Sequence, residues 1–147
     1  MNVINTDNLT WVDHCNAVDW DDLSHLYVIA PLGEKDPKDL KTVFSNSRYT
    51  YFVYDENKLI GVGRALADGV DCSYICDVAV HPEYQGLGLG KVMVQRLLED
   101  SKGHSKILLY SVPGKEEFYT KFGFSKMKTA MAIFKRQDWA KDISLVE

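Results

Sequence analysis

Apolar positions between residues 18 and 45 recur at helical spacing. Leu23, Leu26, Tyr27 and Ala30 fall at i, i+3, i+4 and i+7, which predicts a helix over Val18–Ala30. Asp19 is placed to cap its first turn, and Pro31 and Gly33 end it. Pro37 then takes the first position of a second helix, with Leu40, Val43 and Phe44 as its apolar stripe. Ahead of both, the first dozen residues, ending in Leu9, Trp11 and Val12, predict an edge strand.

From Tyr49 the period shortens. Tyr49–Tyr54 and Leu59–Ala67 are β-rich runs joined by Asp55-Glu56-Asn57-Lys58, a hairpin signal. The turn Asp68-Gly69-Val70-Asp71 leads into Cys72–Val80 as the third strand of a meander, which His81-Pro82 stops. Lys91–Ser101 returns to helical period, with Val94, Leu97 and Leu98 on one face. Ile107–Val112 predicts a buried strand, Pro113-Gly114 a break and Lys115–Lys121 a short helix; Phe124–Met127 and Thr129–Phe134 complete the β content. The order β-α-α-β-β-β-α-β-α-β-β predicts an α+β (mixed α/β) fold. It has a single central, largely antiparallel sheet with about four helices on its faces.

The segment between Asp77 and Lys91 carries the strongest chemical signal. It joins a buried strand to a helix through Gln85-Gly86-Leu87-Gly88-Leu89-Gly90. Glycines at alternate positions let successive backbone N–H groups turn toward one point, and the helix N-terminus adds unpaired donors and a positive dipole end. That arrangement suits a phosphate or pyrophosphate. A P-loop is excluded twice, because Gln85 stands where its first glycine belongs and Val92 follows Lys91. A dinucleotide fingerprint is excluded because the turn reads G-x-G-x-G. Gly61-Val62-Gly63 offers no second chance, since Leu66 replaces the third glycine and the run lies inside a strand.

Composition narrows the partners. The 147 residues carry a net charge of −4, against a nucleic-acid binder that works by neutralising phosphates. The charge is uneven: residues 1–60 net −5, 61–100 net −3 and 101–147 net +4. No apolar run reaches the ~18 residues of a membrane span, and the polar start lacks a signal-peptide pattern. Cys72 and Cys76, four apart on one strand, lie ~13 Å from each other, too far for a disulfide. With Cys15 as the third cysteine and no zinc-ligand spacing, a reducing, cytoplasmic setting without a metal is expected.

Gln85–Gly90 fits [QR]-x-x-G-x-[GA] and resembles the acetyl-CoA pyrophosphate loop of the GNAT superfamily of N-acetyltransferases. The approach Val78-Ala79-Val80-His81-Pro82-Glu83-Tyr84 and the later Phe118-Tyr119-Thr120-Lys121-Phe122-Gly123-Phe124 also resemble that family, at family-like separation. The likeness runs from about residue 50 onward, while the N-terminal helices fit only in kind. It implies a GNAT-like sheet splayed between strands 72–80 and 106–112, with the pantetheine arm of acetyl-CoA in the gap. Backbone groups of Val78 and Val80 would hold its amides. The N–H groups of Gln85, Gly86, Leu87, Gly88, Leu89, Gly90 and Lys91 would hold the pyrophosphate.

Direct attack of an amine on a thioester needs a base, an oxyanion donor and an acid. The resemblance places Tyr119 as the acid and the N–H of Val78 as the oxyanion donor. Asp77 is the base candidate, because a carboxylate inside Tyr-Ile-Cys-Asp-Val-Ala-Val is costly unless paired or wet. It acts through a water or holds Arg64 or a backbone amide; His81 is a further base candidate or a turn-edge residue. Tyr27, Arg64 and Cys76 are candidates for the acceptor pocket. The strand also resembles the I-E-D-[IV]-[AV]-V strand of glucosamine-6-phosphate N-acetyltransferases. Cys76 replaces its glutamate, and Lys115 stands where that group has an asparagine, departures that weaken the transfer of that substrate.

The expectation is a single N-acetyltransferase domain over 1–147 that acetylates a primary amine of a small molecule, with no nucleic-acid or membrane partner and a homodimer as the candidate assembly. A lysine or N-terminal protein acetyltransferase and a CoA-binding module without turnover stand as alternatives.

Overall fold

Each of the first two helices begins where an aspartate stops its free N–H groups from going unpaired. In the computed structural model, which describes residues 4–147, the Asp19 side chain accepts from the N–H groups of Asp21 and Asp22 at 2.9 and 3.2 Å. Helix α1 (Trp20–Ile29) follows. Asp36 does the same for Lys38 N–H at 2.7 Å, and Pro37 opens α2 (Pro37–Ser45).

Five strands form one sheet in the order β1-β2-β3-β4-β5. Strands β1 (Leu9–Val12), β2 (Tyr49–Asp55), β3 (Lys58–Ala67) and β4 (Cys72–Val80) are antiparallel neighbours, and β5 (Lys106–Leu108) runs parallel to β4. Asp68 closes the β3–β4 turn by accepting from the N–H groups of Val70, Asp71 and Cys72, which holds its carboxyl below the usual carboxylate range.

The two sheet faces are covered by different helices. Leu23, Leu26 and Tyr27 of α1 and Leu40 and Phe44 of α2 are buried with Phe52, Val62 and Ala79. Along β3 the neighbour of Val62 is Gly63, which faces the other way. A Cβ there would stand 2.8 Å from the Met93 sulfur, so α3 (Leu89–Asp100) packs at a distance only glycine permits. Helix α3 is also tied to β4 by a 2.8 Å contact between the buried hydroxyls of Ser73 and Ser101.

The chain divides into two compact units, the first ending at Leu109 and the second covering Tyr110–Glu147. The second holds α4 (Glu116–Thr120) and α5 (Gln137–Asp142). Within it, Phe134 meets Tyr110 and Trp139 edge-on, with ring centroids 5.9 and 6.3 Å apart.

Mixed α+β architecture and the meander agree with the sequence, and three expectations do not. The strand expected over 107–112 is confined to Lys106–Leu108, because its parallel register with β4 ends at Tyr74↔Leu108. Phe124–Met127 and Thr129–Phe134 form no ladder: alternation states a preference, but a strand exists only where a neighbour accepts its hydrogen bonds. Helix α5 was absent from the expected order; its Gln137 accepts from Phe134 N–H at 2.8 Å, so the apolar run turns into a helix. The described chain therefore has five helices rather than four. Residues 1–3 of the expected edge strand lie outside the described residues.

Candidate functional site

The turn from β4 into α3 adopts the backbone its glycines permit. Gly86 and Gly88 both have φ of +82°, and a Cβ on either would meet nothing within 4 Å. Gly88 caps α3 without any side-chain hydrogen bond, and the first intrahelical bond runs from Val92 N–H to Gly88 C=O at 3.1 Å. The N–H groups of Leu89, Gly90 and Lys91 are thus first-turn donors with no intrahelical acceptor. Three donors at the positive end of a twelve-residue helix follow two glycines whose Cβ positions face open space.

The end of β4 adds a second set of main-chain groups. Pairing with β5 covers only Cys72–Tyr74, so Ile75–Val80 has no β5 partner; the sheet opens where a splay is expected. On the β3 side, Ala79 is in register with Val62 and His81 N–H donates to Ile60 C=O at 2.7 Å. Trans peptides then turn Val78 C=O, Val80 N–H and Val80 C=O to the free edge. The Gln85 side chain confirms this by donating Nε2–H to Val80 C=O at 3.1 Å. This bond ties the glycine loop to the strand edge.

Upstream, β4 carries a bulge. The register passes from Val62↔Ala79 to Arg64↔Cys76, so Asp77 and Val78 together face Gly63. Asp77 has φ of +54°, a left-handed conformation uncommon for a residue with a side chain. Its Oδ2 accepts from Arg64 Nε at 2.9 Å and lies in an ion pair 2.9 Å from Nη2, while Arg64 Nη1 donates to Ser47 Oγ at 3.3 Å. The guanidinium also sits 5.9 Å from the Phe44 ring centre. Tyr27, fully buried in α1, donates its hydroxyl to Asp77 C=O at 2.9 Å.

The sequence offered Arg64 as a partner of Asp77 and grouped Tyr27, Arg64 and Cys76 at one pocket, and the structure places all four together. Of the two roles open to Asp77, holding Arg64 is the one its contacts fill. Burial pushes the Cys76 thiol up to about 11, so it is a neutral thiol near pH 7 and a poor nucleophile. The Arg64 and Asp77 side chains are 14% and 28% exposed, so the pair is only partly dehydrated. Arg64→Met is expected to cost about 2 kcal/mol, less than the ~3–5 kcal/mol of breaking a fully buried pair. In urea denaturation, the Arg64→Met/Asp77→Asn double variant should lose less than the two single losses added; strict additivity would mean the pair is not coupled.

The remaining candidates have simpler surroundings. His81 Nδ1 accepts from Glu83 N–H at 3.1 Å, capping the turn Pro82–Tyr84, and burial lowers its pKa. That is the turn-edge role. In the second unit, Tyr119 lies on α4 between Phe118 and Phe124, with ring centroids at 5.0 and 6.3 Å, and burial raises its pKa. Sequence reasoning missed Ser47, the side-chain bond of Gln85 and the left-handed Asp77. Only the last had any signal, since aspartate tolerates that conformation better than most residues.

This surface fits a ligand with phosphates at one end and an amide-bearing arm at the other: donors and open space at Gly86–Lys91, and a free strand edge at Val78–Val80. Residues 14–124 match the family described as "Acetyltransferase (GNAT) family". The chain belongs to the GNAT acetyltransferase family. It is similar to the uncharacterized N-acetyltransferase ycf52 of Pyropia yezoensis, 34% identical over 118 residues that cover 76% of this chain and 61% of that protein. The chain therefore spans about six-tenths of that relative's length. Similarity to serotonin N-acetyltransferase 2, chloroplastic, of Oryza sativa subsp. japonica reaches 43% over 68 residues, covering 45% of this chain and 34% of that protein. Among solved structures, a GNAT-family acetyltransferase of Streptococcus pneumoniae shares the fold with a TM-score of 0.72 at 23% identity, covering 86% of this chain and 98% of its own.

Proposed function

We propose that this chain moves the acetyl group of acetyl-CoA to a primary amine of a small molecule by direct attack in a ternary complex. The observation that carries the reading is the junction of the uncapped, glycine-lined start of α3 with the unpartnered edge of β4. When bound, acetyl-CoA supplies an activated acyl group and a thiol leaving group. Leu89, Gly90 and Lys91 N–H groups bind its phosphates, and Val78 C=O and Val80 N–H bind the amides of its arm. Val78 N–H stabilises negative charge on the acyl oxygen. Asp77, committed to Arg64, keeps the bulge in place, and the amine's proton leaves through water. Tyr119 donates a hydrogen bond to the leaving sulfur and water completes the protonation, a role assigned from its place in Phe118–Phe124. A small acceptor is supported by the rice relative, whose named substrate is itself a primary amine.

Two measurements test the reading. Acetyl-CoA at 100 times its Kd adds about 2.7 kcal/mol of stability and should raise Tm by roughly 9 °C. No shift at saturation would exclude the cofactor. Free thiol release should then appear with one member of an acceptor panel holding serotonin, spermidine, amino acids, glucosamine 6-phosphate and a lysine peptide. Turnover of the peptide alone would move the acceptor to the protein class.

A further inference from the structure

We infer that Tyr27 is a positioning residue: its hydroxyl sets the direction in which the main-chain N–H of Val78 points. The inference deepens the acetyl-transfer reading and rests on it. A buried phenol has a single O–H donor. Tyr27, with no exposed surface, gives that donor to the carbonyl of Asp77 at 2.9 Å. Asp77 C=O and Val78 N–H belong to the same peptide unit. The chain has no cis bonds among its described residues, so the oxygen and the amide hydrogen lie on opposite sides of that plane. Fixing the oxygen toward α1 fixes the hydrogen away from it.

The restraint falls where the backbone most needs one. Asp77 stands at φ of +54°, so its conformation is maintained by surroundings rather than by preference. Two elements share the task. Arg64 on β3 holds the carboxylate through an Nε–H hydrogen bond and an ion pair, and Tyr27 on α1 holds the carbonyl. The first holds the side chain; only the second fixes the peptide plane. Because burial and the neighbouring Asp77 charge raise the Tyr27 pKa, the hydroxyl keeps its proton, and so its donor role, across neutral and alkaline pH. Ser47 steadies the guanidinium by accepting from Arg64 Nη1 at 3.3 Å.

Tyr27→Phe keeps the ring and removes only the donor. Losing an oxyanion donor outright costs about 10²–10³ in kcat, so misaiming one should lower kcat about 30-fold. The Kd for acetyl-CoA should stay within about two-fold, because the loop donors and the Val80 edge are untouched. A readout independent of turnover is the 15N–1H signal of Val78 in the ligand-free protein, which should shift and exchange faster in Tyr27→Phe than in wild type. Leu23→Val, one turn away in the same buried stripe, is the control for mere destabilisation. It should lower Tm without moving the Val78 signal or kcat. An unmoved Val78 amide in Tyr27→Phe, or a kcat loss matched by Leu23→Val, would overturn the inference. If wild type transfers no acetyl group to any acceptor, the functional reading fails on its own, and the amide signal still decides whether Tyr27 sets the peptide plane.

Discussion

Gly88→Asp should raise the Kd for acetyl-CoA more than 100-fold, a loss of about 2.7 kcal/mol, in a protein that still folds. Gly88 precedes α3 at φ of +82° and ψ of 10°, and nothing lies within 4 Å of the position a Cβ would take. The variant therefore meets backbone strain of about 1–2 kcal/mol but no collision, and aspartate is among the residues that tolerate the left-handed region. Its carboxylate would stand beside the Leu89–Lys91 N–H groups, where it competes for their hydrogen bonds and repels the incoming phosphates. Gly88→Ala separates the two effects. It brings the strain without the charge, so its Kd should rise less, while its Tm should fall at least as far. Calorimetric titration measures both. Wild-type affinity in Gly88→Asp would reduce the loop to a turn between strand and helix.

That experiment probes the part of the site that was legible in the sequence, and the reason is local. A glycine at 86 and 88, a strand before them and a helix after them are decided within twenty residues. The cap at Asp19 was legible for the same reason: an acidic side chain two residues from the N–H it accepts from needs no distant partner. The bulge was not. Its signature is that Asp77 and Val78 share one partner, Gly63, and that count depends on how β3 and β4 pair. Tyr27 and Asp77, 50 residues apart, could each be suspected of a role, but not of meeting at one carbonyl. Gln85 matched a motif letter, while its bond to Val80 C=O required the loop to fold back along β4. The error at 124–134 has the opposite character. There the local pattern was clear and favoured strands, but ladders need neighbours, and the described segment has none.

Tyr119→Phe should lower kcat about 100-fold while changing the Kd for acetyl-CoA by less than about two-fold, the pattern of a group that acts in the transition state and not in binding. The substitution removes one oxygen and keeps the ring between Phe118 and Phe124, so Tm should move by no more than about 1 °C. The chemistry sets a limit on what the hydroxyl does. A free phenol, with a pKa of about 10, already holds its proton more firmly than a thiol of about 8.5. Burial raises Tyr119 further, which makes complete transfer to the leaving sulfur less favourable still. The role left to it is to donate a hydrogen bond to sulfur as negative charge develops there, with water completing the protonation. The pH profile separates this from the ordinary case of a titrating acid. A group needed in its protonated form limits the rate on the alkaline side, and a raised pKa moves that limb upward, so Tyr119 should cause no fall in kcat through neutral and mildly alkaline pH. A kcat decline between pH 8 and 9.5 that disappears in Tyr119→Phe would mean that the hydroxyl ionises in the working range, which its burial opposes. An unchanged kcat in the variant would remove Tyr119 from the reaction and leave Val78 N–H as the chain's sole proposed donor to the reacting atoms.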